Sequence, residues 1–223
     1  MPVNDSEFDI FAVMSNIEEV AVKLKNRLKR PLPGTSAQLK MASDIRLNEM
    51  VNGYDIKNAR KSSVLILLYP DNSNIYFVLI KRRNDGGVHS GQISFPGGAM
   101  EKSDGSFYET ALREANEEVG IDTGDVKIIG SLTELYIPPS NFLVFPVLGY
   151  MNTRPVLTPD PGEVAGIIEA DLFKLVNTGK AEWKKINVRG YKVNSPYYDI
   201  GGHTVWGATA MILSEFIEII KSS

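Results

Sequence analysis

The segment Gly97–Ile121, GGAMEKSDGSFYETALREANEEVGI, constrains this chain more than any other stretch. Ser106 stands three residues before Glu109, the reciprocal spacing in which a hydroxyl and a carboxylate satisfy free N–H groups of a helix's first turn. Tyr108, Ala111, Leu112, Ala115 and Val119 then recur on one face, and Gly120 follows where a left-handed residue closes a helix. These signals predict a helix over Phe107–Val119. On that helix Glu114, Glu117 and Glu118 stand at i, i+3 and i+4, which groups their carboxylates within about 5–6 Å at Cβ. This spacing turns them away from the apolar stripe. Like charges so placed repel and weaken a helix, and a bound cation relieves them. Clustered carboxylate oxygens suit Mg²⁺ or Mn²⁺, and Mg²⁺ also keeps waters and accepts phosphate oxygens. Arg113, four residues before Glu117, is placed to hold that carboxylate. Taken alone, Arg-Glu-x-x-Glu-Glu reads first as an ordinary solvated helix face. The glycine pair upstream changes that reading, because glycine after a strand lets backbone approach a ligand closely.

The flanking sequence is mixed in period. Phe11, Met14, Ile17, Val20, Ala21, Leu24 and Leu28 predict an amphipathic helix from about residue 8 to 28, broken by Pro31-Leu32-Pro33-Gly34. Residues 37–57 are ambiguous, with a weak helical reading. Ser63–Tyr69 reads as a buried strand, Pro70–Asn74 as a turn and Ile75–Lys81 as the returning strand of a hairpin. Ile93–Phe95, Val126–Leu132, Phe142–Met151, Trp183–Val193 and Tyr197–Ile200 read as strands. Pro155–Gly162 reads as a loop, Ala170–Val176 as a short helix and Thr204–Lys221 as a long one. Helices and strands so interspersed predict an α/β or α+β layered domain.

Composition removes several function classes. The chain carries a net charge of −3, so the Lys/Arg excess of a nucleic-acid backbone binder is missing. It has no cysteine, which excludes disulfides, thiolate catalysis and zinc–thiolate sites and is compatible with a reducing cytoplasm. No apolar run reaches membrane-spanning length, and residues 1–9 lack the pattern of a signal peptide.

Gly98, Arg113-Glu114-Ala115, Glu117-Glu118 and Gly120-Ile121 resemble the signature of the Nudix hydrolase family: Gly, five residues, Glu, seven residues, Arg-Glu-apolar-x-Glu-Glu-x-Gly-apolar. Two departures are visible. Asp104 stands at the first acidic position, and its spacing to Arg113 is one residue longer. The longer spacing, with Thr110-Ala111-Leu112-Arg113-Glu114, is similar to the coenzyme A pyrophosphatase-like branch. So are Leu79-Ile80-Lys81-Arg82-Arg83-Asn84, His89–Gly98 (HSGQISFPGG), Pro139–Pro146 (PSNFLVFP) and Val205–Ala210 (VWGATA). Within these, Lys81 and Asn84 replace the branch's Thr and Ser. The stretch Arg83–Gly91 is one residue short, and Val88 stands where a second Arg is usual.

The resemblance implies a Nudix fold, a mixed sheet sandwiched between helices, in residues 61–223, with residues 1–60 as a helical extension packed on it. It implies hydrolysis of a pyrophosphate linkage in a nucleotide-containing small molecule, with water as nucleophile and Mg²⁺ or Mn²⁺ as cofactor. Glu117 and Glu118 are then the principal metal ligands, Glu114 a further one, and the carbonyl of Gly98 or Gly97 an additional oxygen. The proton of the water goes to a box glutamate or to a downstream loop glutamate. Glu163 is the candidate for the second route, its other reading being an ordinary exposed carboxylate. Arg82 and Arg83, with Lys81, read either as phosphate clamps or as a surface cationic cluster. His89 and Gly97 are candidate substrate contacts, with loop ordering as the alternative for His89. Asp104 orders the loop before the helix, Glu109 is the cap partner of Ser106, His203 is structural, and Trp206 is core in preference to a base-stacking platform. The substrate expected is coenzyme A or an acyl derivative. Alternatives are ADP-ribose, dinucleoside polyphosphates or nucleoside triphosphates, and a catalytically silent nucleotide-binding domain. The N-terminal helix is left open between packing on the core and a homodimer contact.

Overall fold

The computed structural model describes residues 16–50, 54, 56–84, 86–87, 89–188 and 190–223. The expected helical positions Phe11 and Met14, and Val88 in the branch motif, lie outside the described residues. The elements run α1 (Ile17–Arg27), α2 (Gly34–Gln38), α3 (Asp44–Met50), β1 (Arg60–Asp71), β2 (Asn74–Arg82), β3 (Ile93–Ser94), β4 (Gly97–Ala99), α4 (Phe107–Val119), β5 (Lys127–Ser131), β6 (Leu135–Ile137), β7 (Phe142–Tyr150), β8 (Val164–Asp171), α5 (Leu172–Thr178), β9 (Glu182–Val188), β10 (Tyr191–Ile200), β11 (His203–Trp206) and α6 (Gly207–Lys221).

β1 is the spine of a mixed sheet ordered β3-β2-β1-β7-β5, with β4 on β1, β6 on β7 and β8 on β2. It runs parallel to β7 and antiparallel to β2. Its apolar residues sort by parity, as side chains that alternate across a pleat must. Leu65, Leu67 and Tyr69 pack with Ala111, Ala115 and Val119 of α4, while Ile66 and Leu68 pack with α1 and α6. A near-continuous apolar run is what a strand covered on both faces requires. The result is the expected sandwich of a mixed sheet between helices.

β1 changes partners along one edge. Its upper half pairs β2 from Leu68 to Asp71, and its lower half pairs β4 through Ser62↔Ala99, Ser63↔Gly98 and Val64↔Gly97. β2 meanwhile pairs β3 at Ile80↔Ser94 and Lys81↔Ile93. The two long strands therefore diverge, and residues 93–99 fill the opening. That wedge brings the glycine pair beneath α4.

Several expectations shift. The 70–74 turn tightens to the two residues Asn72 and Ser73, with Asn72 at φ +53°. Trp183–Val193 is a hairpin of β9 and β10, not one strand. Thr204–Trp206 belongs to β11, and the last helix begins at Gly207. Trp206 is half-buried at the start of that helix, outside the core clusters. The sequence reading missed β8, whose Val164, Ile168 and Ala170 are buried. Among the described residues no helix is long and apolar enough to cross a membrane.

Candidate active site

α4 forms where its sequence signals place it. The Ser106 hydroxyl accepts from the Glu109 N–H at 3.2 Å, and Gly120 closes the helix at φ +72°. The Glu109 carboxylate bonds the Gly105 N–H at 2.8 Å, one residue away from the expected reciprocal cap. Two expectations about its faces are corrected. Tyr108 is 41% exposed, while Glu118, expected to face away from the apolar stripe, is 1% exposed. Glu118 sits beside Ala111 and Ala115 because α4 lies on the wedge of residues 93–99. The backbone of that wedge supplies polar partners where a plain sheet would offer only side chains.

Glu118 accepts the Gly97 N–H at 2.8 Å and an Arg82 Nη1 bond at 3.3 Å. Gly97 adopts φ +154°, and a Cβ there would lie 2.6 Å from the Cα of Val64. A Cβ on Gly98 would lie 2.5 Å from Cδ of Glu114, so that carboxylate packs onto bare backbone. Glu114 and Glu118 therefore both meet the glycine strand. Glu117 turns outward, its side chain 56% exposed, and receives Arg113 Nη1 at 3.1 Å.

Arg113 organises this surface. It forms two bonds to Asp104, Nε to Oδ1 and Nη2 to Oδ2, both 3.0 Å. It also donates to Glu114 at 3.0 Å and to the Ala99 carbonyl at 3.0 Å. Asp104 additionally accepts from the Glu101 N–H and the Thr110 hydroxyl. It thus orders the loop before α4, as expected. Hydrogen bonds from Arg113 hold its pKa well below the usual carboxylate range.

The carboxylates under α4 are held against their charge. Burial raises the pKa of Glu118 to about 7, opposed by the Gly97 N–H and Arg82 and reinforced by the charges of Glu114 and Glu163. Burial likewise raises Glu114, with Arg113 opposing and Glu117 and Glu163 adding to the rise. Desolvated, mutually repelling carboxylates are the condition a cation relieves. The donor set fits a hard divalent ion: all oxygen, on one helix, against exposed backbone. Among the described residues no three acidic or histidine side chains already converge as a finished metal cage. Glu114 and Glu118 point inward and Glu117 outward, and Arg113 is bonded to both Glu114 and Glu117.

The other expected site residues fall around this point. Glu163 is exposed in the turn before β8, close enough for its charge to act on Glu114 and Glu118. Arg82 is engaged with Glu118. Arg83 donates to the Pro161 carbonyl at 2.7 Å, and Lys81 is exposed. His89 is half-buried, its Nδ1 3.1 Å from Gln92 Oε1 in the glycine-rich loop. His203 lies in β11, paired with Ile200. The sequence reading missed the loop contacts to α4. Thr158 N–H donates to Val119 O at 2.9 Å and Asp160 N–H to Glu118 O at 3.0 Å. No local pattern announces such bonds, because they join main-chain atoms about forty residues apart.

The model of the NUDIX domain matches residues 59–185, more than half of the chain. The chain belongs to the Nudix family. A protein named uncharacterized Nudix hydrolase NudL from Photorhabdus laumondii is 33% identical over 133 residues, covering 60% of this chain and 71% of that protein. Its namesake from Pectobacterium atrosepticum is 34% identical over 165 residues, covering 72% and 82%. Nudix hydrolase 15, mitochondrial, from Arabidopsis thaliana is 32% identical over 161 residues, covering 69% of this chain and 56% of its own length. The Nudix match begins at Ala59, one residue before β1. α1 and α2 precede it, yet Ile17, Val20 and Leu24 share one core with Ile66, Leu68 and α6. As a Nudix hydrolase the chain acts on pyrophosphate bonds, and its family uses divalent metal ions.

Proposed function

We propose that this Nudix hydrolase cleaves the pyrophosphate of coenzyme A or an acyl-coenzyme A, releasing 3′,5′-ADP and 4′-phosphopantetheine or its acyl form. The observation that carries the hydrolytic reading is the seating of Glu114 and Glu118 against Gly97–Gly98. This brings desolvated acid groups to bare backbone of the strand that fills the gap between β1 and β2. The substrate assignment rests on Leu79–Asn84 and His89–Gly98, which resemble the coenzyme A branch of the family.

Glu117 and Glu118 would hold Mg²⁺, with Glu114 and the Gly98 carbonyl adding oxygens. When bound, the ion neutralises the diphosphate and eases ionisation of the attacking water. Arg113 keeps Glu117 and Glu114 oriented through its bonds to both. Arg82 offsets part of the charge at Glu118. Glu163 accepts the water's proton as oxygen attacks phosphorus, and the bridging oxygen leaves with the bonding pair on the departing phosphate. His89 and the Gly97 backbone stand by for the substrate. We assign the enzyme to the cytoplasm and treat residues 1–60 as an extension of the hydrolase domain.

Incubation of the protein with Mg²⁺ and coenzyme A, ADP-ribose, NADH and dinucleoside polyphosphates, followed by mass analysis, tests this reading. Release of 4′-phosphopantetheine is expected. Turnover of ADP-ribose or a dinucleoside polyphosphate alone assigns a different pyrophosphate substrate. Nucleotide binding without turnover of any compound leaves a silent binding domain.

A further inference from the structure

The ladder between β2 and β8 runs Ile80↔Ile167, Lys81↔Gly166 and then Arg82↔Val164, leaving Ala165 as an extra residue on β8. A bulge of this kind kinks the pair and re-aims side chains beyond it. Neighbours on a regular strand point to opposite faces. Past the bulge, Arg82 and Arg83 serve one site by separate routes. Arg82 bonds the carboxylate of Glu118. Arg83 turns to the loop before β8: its Nη1 donates to the Pro161 carbonyl at 2.7 Å, and its own N–H donates to the Glu163 carbonyl at 3.0 Å.

The same loop is fastened to α4 from its other side. The Asp160 N–H donates to the Glu118 carbonyl at 3.0 Å, and the Asp160 carbonyl accepts the N–H of Glu163 at 3.2 Å and of Val164 at 2.9 Å. The Asp160 carboxylate accepts the Gly162 N–H at 2.9 Å. Residues 161–163 are all exposed, so hydrogen bonds and not apolar burial order this turn. It is anchored by main-chain bonds to the Glu118 carbonyl and from the Arg83 N–H, and by the side chain of Arg83.

We propose that Arg83 is a positioning residue, which holds the Asp160–Glu163 turn so that Glu163 faces the carboxylates of α4, and does not grip substrate phosphate. The proposal rests on the reading of Glu163 as the general base. An arginine spent on a carbonyl lowers the cost of ordering a short exposed turn. Arg83→Ala removes the Pro161 anchor but keeps the main-chain bond to Glu163, so it loosens the turn without touching the carboxylates of α4.

The test combines a double-substitution cycle with amide exchange, on the full chain with Mg²⁺ and coenzyme A, or the panel member that is turned over. Glu163→Gln alone should lower kcat by about 10²-fold or more, the scale of general-base catalysis. Arg83→Ala should lower kcat by roughly tenfold or more with KM little changed, and Arg83→Lys, which keeps a donor, should recover most of it. The double variant should be no slower than Glu163→Gln alone, because the two groups act through one another. Without metal or substrate, amides of Gly162–Val164 should exchange faster in Arg83→Ala. A raised KM at unchanged kcat, or additive losses with unchanged exchange, overturns the positioning role. Full rate in Glu163→Gln overturns the base assignment instead, and the proposal falls with it.

Discussion

At the residue scale, the glycine pair and the carboxylates above it form one unit. Gly98 gives Glu114 the volume its own side chain would occupy. Gly98→Ala should therefore expel the Glu114 carboxylate and lower kcat at least tenfold, while circular dichroism and Tm stay near those of the parent. Near-parental turnover in a well-folded Gly98→Ala variant would refute the role given to Glu114. Glu118 supplies a second prediction. Burial raises its pKa in the folded chain to about 7 from an ordinary 4.5, so the folded state holds this proton more tightly than the unfolded state. Protons then favour folding. This contribution is present in full below about pH 4.5 and is lost as pH rises through about 7. Glu114, raised in the same direction, adds to the slope. The Tm of metal-free protein should thus fall across that window, and Glu118→Gln should flatten much of the fall. Mg²⁺ should restore Tm at pH 7 and above in the parent. A metal-free Tm that climbs from pH 4.5 to 7, or one that Glu118→Gln leaves unflattened, counts against this account.

At the element scale, α4 is defined by its ends. Ser106 caps the first turn and Gly120 adopts the left-handed conformation that ends it. Residues at both positions were legible in the sequence because capping depends on neighbours a few residues away. Ser106→Ala should cost about 1 kcal/mol, measured as a shift in urea midpoint at unchanged slope. A change within error would show the cap to be replaceable by solvent. The element's faces were less legible. Helical spacing alone grouped Glu118 with Glu114 and Glu117 away from the apolar stripe and put Tyr108 on the packed side. The structure buries Glu118 and exposes Tyr108 because α4 overlies residues 93–99, whose main chain offers N–H donors. A strand presenting only side chains would have rejected the carboxylate.

At the scale of the whole molecule, the N-terminal helices and the C-terminal helix are joined through a buried acid. Glu215 of α6 is fully buried and accepts bonds from the Gly34 N–H at 3.1 Å, the Gln38 amide at 3.0 Å, and the Thr133 N–H and hydroxyl at 3.3 and 2.6 Å. It ties α2 and the β5–β6 loop to α6, while Leu24 and Val20 of α1 enter the core shared with β1. Glu215→Ala removes the acceptor shared by the half-buried Gly34 and Thr133 donors and by the buried Gln38 amide, at a cost of roughly 3 kcal/mol. At about 2–4 °C per kcal/mol for a chain of this size, Tm should fall by roughly 6–12 °C. A Tm within 2 °C of the parent would mean that the extension docks without this latch. These contacts were illegible beforehand, since Glu215 lies in a helix whose period shows nothing of partners at positions 34, 38 and 133.

What the sequence determined by itself was local. It specified the position and caps of α4, the spacing of its glutamates, the glycine pair, the hairpin of β1 and β2, and membership of the Nudix family. Each follows from interactions among residues a few places apart, or from a motif of fixed spacing. Tertiary structure decided which glutamates turn inward, that Arg82 serves Glu118, that Arg83 is spent on the Pro161 carbonyl, and that Glu163 comes near the acidic cluster. Those outcomes depend on where β1 and β2 part, on a bulge opposite Lys81 and Arg82, and on main-chain bonds between distant loops. Sequence periodicity carries no record of such bonds, because every residue except proline offers the same N–H and C=O.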